Sequence, residues 1–318
     1  MNPREIVARA WAITTGVRTL RRWGYTASVL ETLLETKLIL YQSHFVYSYL
    51  VLGRTVGFFE IEEMLYRNLP FWAFLTFIIT FTVAVLIEFV LPKACLGAVI
   101  GLGAKAGRKE ELKGGLVLAI YNFWPIFAIA EMFVLSRITT SVVAISFILR
   151  YVEGGFSTPG VTFVIVAWAF SNILKFFASF AEEAVVIRKF GIFHAIGHSF
   201  KLVLSYLKDI MFLVIILIMI SLRIFINFIV ALLIPGIAIG VGVALSFFLP
   251  PVISYSVTAV VSVVVILFLS YLLAYLQVFK QMVWTLTYLE LSAKKELDII
   301  IEPSAPATAA AGTGNVGA

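Results

Sequence analysis

The chain is poor in the residues that most enzyme chemistry uses. Cys95 is its single cysteine, which excludes an intrachain disulfide and a thiolate metal cluster. Histidine occurs three times, at His44, His194 and His198, too thinly for an obvious ligand set. Charged residues make up only 13% of the 318 positions, whereas hydrophobic ones make up 61%, and the mean hydropathy is +1.03. Such a composition describes the solvent before it describes any chemistry. Apolar stretches such as Phe71–Leu91 and Val252–Leu276 approach or exceed the ~20 residues an α-helix needs to cross a bilayer core. In hydrocarbon every backbone N–H and C=O must be satisfied within the segment, so these stretches are helical. The fold class is therefore all-α: a polytopic transmembrane bundle of about six spans.

The spans read as Leu38–Phe58, Pro70–Leu91, Leu116–Leu135, Val161–Ala181, Met211–Leu233 and Val252–Phe279. Basic residues divide sharply between alternate connections. Residues 1–37 hold six, 92–114 five, 185–208 four and the segment from 280 three, leaving six of the 24 elsewhere. The positive-inside rule then places both termini in the cytoplasm of a cell membrane. Three regions follow: a basic amphipathic segment over 1–37, a transmembrane domain over 38–292, and a cytoplasmic segment over 293–318 ending in a disordered Ala/Pro/Gly-rich tail. The arginine-rich start lacks an apolar core and a cleavage site, so no cleaved signal peptide is expected. Ile138–Leu149 is too short to cross and reads as a continuation of the third helix or an interfacial piece. Pro235–Pro251, bounded by prolines and holding three glycines, reads as an extension of the fifth helix, with a re-entrant segment as the alternative. Cys95, just past Pro92-Lys93, is expected near the inner surface and open to thiol reagents from that side.

A net charge of +6 suits anionic lipid, whereas the scatter of basic residues over short loops argues against nucleic acid. His194, His198, Lys201, Ser205 and Lys208 recur at helical spacing, with Phe193, Ile196, Phe200, Val203 and Leu207 as the opposite stripe. That pattern predicts a helix in the headgroup plane with its cations toward lipid. A similar stripe opens the chain, Ile6, Ala10, Ile13, Val17 and Leu20, with Arg18 and Arg22 among the cations elsewhere on the helix. Ordinary juxtamembrane connectors would carry the same pattern. The spacing of His194 and His198 is also one that places two metal ligands on one face. It lacks the Glu of a metalloprotease motif, and a hydrated polar face is the better reading.

Four ionisable residues stand out within the spans: Glu88, Lys175, Glu131 and Arg223. Charges at membrane depth are costly and are functional candidates by default. Depth pairs Glu88 with Lys175 on the inner side and Glu131 with Arg223 on the outer. They line an ion or proton path, form structural pairs, or are long side chains that snorkel to the nearest interface. Asn122 and Asn172 read as interhelical hydrogen-bonding groups. No catalytic, cofactor or metal constellation emerges. Gly101–Gly107 lacks the GK[ST] of a phosphate loop, and the adjacent Glu182 and Glu183 diverge by about 100° on a helix.

Three short segments carry a family likeness: Ala10-Trp11, the stretch Val186–Ser199, and Trp284-Thr-Leu-Thr-Tyr288-Leu-Glu-Leu291. Gly191, Ala195 and Ser199 match a Gly-x-x-x-Ala-x-x-x-Ser segment, and Thr285 and Tyr288 a closing Thr-x-x-Tyr. In these the chain resembles a broad group of prokaryotic six-span proteins of unknown function, related to the membrane domain of some glycerophosphodiester phosphodiesterases. The resemblance implies fold more than function, since catalysis in that family belongs to a separate soluble barrel. The expectation is thus a non-enzymatic accessory or scaffold component contacting lipid and other membrane proteins. A small transporter or channel using the intramembrane charges is the alternative. Self-association is left open.

Overall fold

In the computed structural model, residues 3–54, 56–152, 154–218, 247 and 251–294 are described. Among them every regular element is a helix. These are α1 (Pro3–Gly16), α2 (Arg18–Leu50), α3 (Glu60–Asn68), α4 (Phe71–Gly107), α5 (Gly115–Met132), α6 (Ile138–Tyr151), α7 (Ser157–Phe177), α8 (Ala181–Arg188), α9 (Ile192–Ser205), α10 over 207–218, and α11 (Pro251–Lys294). Among the described residues three helical stretches are long and apolar enough to cross a membrane: Phe71–Gly107, Gly115–Met132 and Ser157–Arg188. Most of the fifth expected span, Arg223 with it, lies outside the described residues, as do nearly all of Pro235–Pro251 and the C-terminal tail.

The long helices outrun the spans drawn from the sequence. The 33 residues of α2 rise ~50 Å and the 37 of α4 ~55 Å, against a hydrocarbon core of ~30 Å. The 44 residues of α11 rise ~66 Å. Helix α2 runs unbroken across residue 37, where the sequence suggested a boundary, and stops at Leu50 rather than continuing to Phe58. Helix α4 passes through Pro92 and so runs beyond Leu91, the expected end of the second span. Proline withholds an N–H from the carbonyl of Glu88, four residues back, a loss that membrane helices tolerate when neighbouring groups compensate. The region expected to be a loop after residue 91 is thus helical as far as Gly107. Gly114, at φ +80°, opens α5 in a left-handed conformation that costs glycine little. A 3-10 turn at Val134–Ser136 separates α5 from α6, so Ile138–Leu149 belongs to a short helix of its own.

The two halves of α4 differ in surroundings. Its first half is exposed and apolar, with Trp72 72% accessible and Phe71, Ile79, Val83 and Leu86 also exposed. Its second half is tightly enclosed, and many of the residues there are small. Gly97 and Gly101 lie against Leu118, Asn122 and Ile126 of α5, and Gly103 and Gly107 against Met282 and Leu286 of α11. One apolar core gathers around this part, and a second lies among α8, α9 and α11. One joins Ile6, Ala10 and Leu20 to Val99, Leu102, Val278, Phe279 and Met282. The other joins Phe180, Ala184, Ala195, Leu202 and Val203 to Tyr288 and Leu291. The amphipathic stripe of α1 and early α2 is therefore buried on protein, chiefly α11, with Trp11 edge-on to Phe279 at 5.6 Å. A cluster of exposed apolar side chains also covers α5 and α7, including Val117, Ile120, Trp124, Phe163 and Phe170.

Candidate functional site

Charged side chains from several helices gather within the bundle. Lys37 of α2 sends its Nζ to both carboxylate oxygens of Glu88, at 2.7 and 2.8 Å. Glu88 is 5% exposed. Its partner is therefore Lys37 and not Lys175, which corrects the pairing drawn from depth. The physical reason is the continuity of α2: Lys37 belongs to the middle of a packed helix, not to a loop. Glu131 is taken by Arg137, 3.1 Å away across the 3-10 turn. Lys175 is exposed and faces a different set, with Glu182 its strongest attractive neighbour and Arg137 and Lys93 nearby. Lys93 in turn stands 4.0 Å from Glu31, whose other oxygen accepts a 2.8 Å bond from Gln277. Glu31, Glu131 and Glu182 thus stand among Lys93, Arg137 and Lys175, contributed by six segments of the chain. A cavity of about 280 Å³ opens beside these charges between α2 and α11, lined by Ser28, Glu31, Thr32, Glu35, Gln277 and Lys280.

The second polar concentration is buried, where α8, α9 and α11 meet. Glu183 is enclosed and accepts a 2.7 Å hydrogen bond from Gln281, while Glu182 faces the charged group, so the two diverge as their adjacency requires. Ser199 accepts from the Phe180 N–H at 3.0 Å and donates to the Phe177 carbonyl at 2.8 Å, tying α9 to the end of α7. His198 is 1% exposed and packs against Phe190 and Tyr288, at 5.3 and 6.0 Å between ring centres. It cannot share an exposed cationic face with Lys201, which corrects its assignment as a headgroup contact. The small side chains of Ala195 and Ser199 draw this face of α9 inward, and His198 goes with them.

What α9 exposes is therefore a different mixture: Phe193 at 80%, His194, Lys201, Leu204, and Lys208 just beyond. Arg18 and Arg22 are exposed on α2. Asn122 and Asn172 do bond across elements. Asn122 accepts from Lys189 at 2.9 Å, and Asn172 donates to the Ser136 carbonyl at 3.3 Å. Burial lowers the proton affinity of the Lys189 ammonium, which also lies 4.8 Å from the Tyr121 ring centre. Sequence reasoning missed Lys37, Lys93, Arg137 and Lys189 as partners, because each looked like a loop or terminal charge. Among the described residues no three His, Cys, Asp or Glu side chains group to hold a metal ion. Cys95 is 1% exposed, so the thiol expected to be open from the inner side is enclosed. Maleimide reagents should leave it unmodified from either face of a vesicle and react only after denaturation. Rapid labelling of the folded protein would contradict this packing.

Comparisons with protein-family models, with characterised proteins and with solved structures find no match to this chain.

Proposed function

We propose that this chain is a non-catalytic integral membrane protein of a prokaryotic cytoplasmic membrane, with both termini cytoplasmic. It serves as an accessory or scaffold component that holds lipid and neighbouring membrane proteins. One observation carries the reading: two acidic side chains among its apolar helices, Glu88 and Glu131, are each met by a cation. Lys37 occupies both oxygens of Glu88, and Arg137 takes Glu131. Charges satisfied in this way support helix association, while the broad apolar faces of α4, α5 and α7 offer surface to acyl chains or partner helices.

The test is reconstitution into liposomes with proton, Na⁺ and K⁺ flux recorded, alongside gentle native purification and mass spectrometry. Flux at the level of empty liposomes and a reproducibly co-purifying membrane protein are expected. A saturable flux abolished by Glu31→Gln would overturn the proposal in favour of transport. That second reading has one observation of its own, the small cavity where Glu31, Glu35 and Lys280 meet.

Lipid contact makes a separate expectation. Phe193 and Leu204 are exposed together with Lys201 and Lys208, the mixture an interfacial helix presents to headgroups and upper acyl chains. Lys201→Glu with Lys208→Glu should reduce the anionic lipid retained through purification. Each lysine near a charged surface contributes on the order of 1 kcal/mol, screened by salt. An unchanged lipid complement at low salt would leave α9 as a plain connector.

A further inference from the structure

A cavity of about 550 Å³ lies where the ends of α4, α8 and α11 meet α1. Arg9, Arg108 and Arg188 line it together with Glu5 and Glu290, and Ile6, Ile187, Leu286 and Leu289 form its apolar wall. The helix ends explain why arginines are here. Carbonyls at a helix C-terminus lack intrahelical donors and carry partial negative charge. Arg9 donates to the Gly107 carbonyl at the end of α4, and Arg188 donates to the Ser292 carbonyl of α11 at 3.0 Å. Each guanidinium has five donors and spends one in this way. Glu290 is engaged by Lys294 at 3.4 Å, and Arg108 faces Glu110 at 3.8 Å. Among the described residues neither Arg9 nor Arg188 stands within ion-pair distance of a carboxylate.

We propose that this cavity binds the phosphate group of an amphiphilic phosphate ester, Arg9 and Arg188 gripping the phosphate while Ile6, Ile187, Leu286 and Leu289 cover its apolar portion. Arginine's planar fork suits a phosphate held by two donors. The volume far exceeds that of a bare phosphate and falls in the range of small-ligand pockets. An apolar wall opposite the arginines calls for a ligand with a carbon skeleton. A membrane phospholipid and a free phosphate ester share this chemistry. The inference rests on the reading of the chain as a membrane module and names a ligand for it, at a place separate from the cationic face of α9.

The test uses the full chain in neutral detergent, with thermal unfolding and native mass spectrometry as readouts. The probes are dihexanoyl phosphatidate, inorganic phosphate and dihexanoylglycerol. Phosphatidate should raise the unfolding temperature saturably and remain as a single adduct, and dihexanoylglycerol should do neither. Arg9→Gln and Arg188→Gln should each weaken phosphatidate about tenfold, the scale of a lost charged hydrogen bond. Because these arginines also cap helices, Ala293→Trp provides a variant that leaves the caps alone: it obstructs the cavity from an exposed position and should weaken binding as well. Arg18→Gln with Arg22→Gln, outside the cavity, should change nothing. If inorganic phosphate matches phosphatidate with the same arginine dependence, the apolar wall contributes nothing and an amphiphilic ligand is ruled out. Equal binding of dihexanoylglycerol, or phosphatidate binding indifferent to Arg9, Arg188 and Ala293→Trp, would overturn the proposal. An ion flux in liposomes with phosphatidate binding intact would sink only the accessory reading.

Discussion

Replacing Lys37 with methionine should destabilise the folded protein by about 3–5 kcal/mol, the cost of stranding a buried charge. Glu88 lies in α4 at 5% exposure, and Lys37 is its ion-pair partner. Proline at 92 adds to the demand, since it leaves the Glu88 carbonyl without its helical donor. Glu88→Gln should be costly for the converse reason, leaving the partly buried Lys37 ammonium uncompensated. The double variant Lys37→Met with Glu88→Gln should be milder than the sum of the two, because no unpaired charge remains. Lys175→Met, by contrast, should add independently to Glu88→Gln, as Lys37 takes both oxygens of Glu88. Unfolding in detergent measures all of these. Simple additivity of the Lys37 and Glu88 effects, or coupling of Glu88 to Lys175, would refute the assignment.

That pair also shows where sequence reading reached its limit. Helix class and apolar exposure were legible, because a run such as Phe71–Leu91 admits only helix in hydrocarbon. The stripe from Ile6 to Leu20 was legible as one face, although its burial against α11 was not. Helix ends were the weak point. Pro92 and Lys37 both look like boundaries, and helices ending there leave Lys37 and Lys93 in loops. Depth arguments built on those boundaries then matched Glu88 to the wrong cation. In α9 the spacing was right but the buried face was set by small residues. Ala195 and Ser199 permit close approach, so His198 turned inward and Phe193 outward. Periodicity alone does not weigh side-chain size across a contact. Only the facing helix supplies that information.

Close approach is also the basis of the second large effect: Gly97→Leu should prevent α4 and α5 from docking. Even a methyl group at Gly97 would stand 3.2 Å from the Asn122 Cβ, 3.2 Å from the Ile126 Cδ1 and 3.3 Å from the Leu118 carbonyl oxygen. The last is helix backbone and cannot turn aside as a side-chain tip does. Alanine should therefore be nearly neutral, the strain offsetting the ~1 kcal/mol by which alanine favours a helix over glycine. Leucine adds three further carbons to a site already full. Overpacking of this kind costs about 1–3 kcal/mol and more where backbone must move. It would also displace Asn122 and so weaken the bond from Lys189. Gly103 provides the contrast, for its added methyl would meet the Sδ and Cε of Met282, a flexible end able to swing away. Gly103→Ala should thus match or exceed the wild type in unfolding temperature, and Gly97→Leu should fall well below it or elute as aggregate on gel filtration. A Gly97→Leu variant as stable as the wild type, or Gly103→Ala less stable than Gly97→Ala, would mean that the α4–α5 contact is not the tight one.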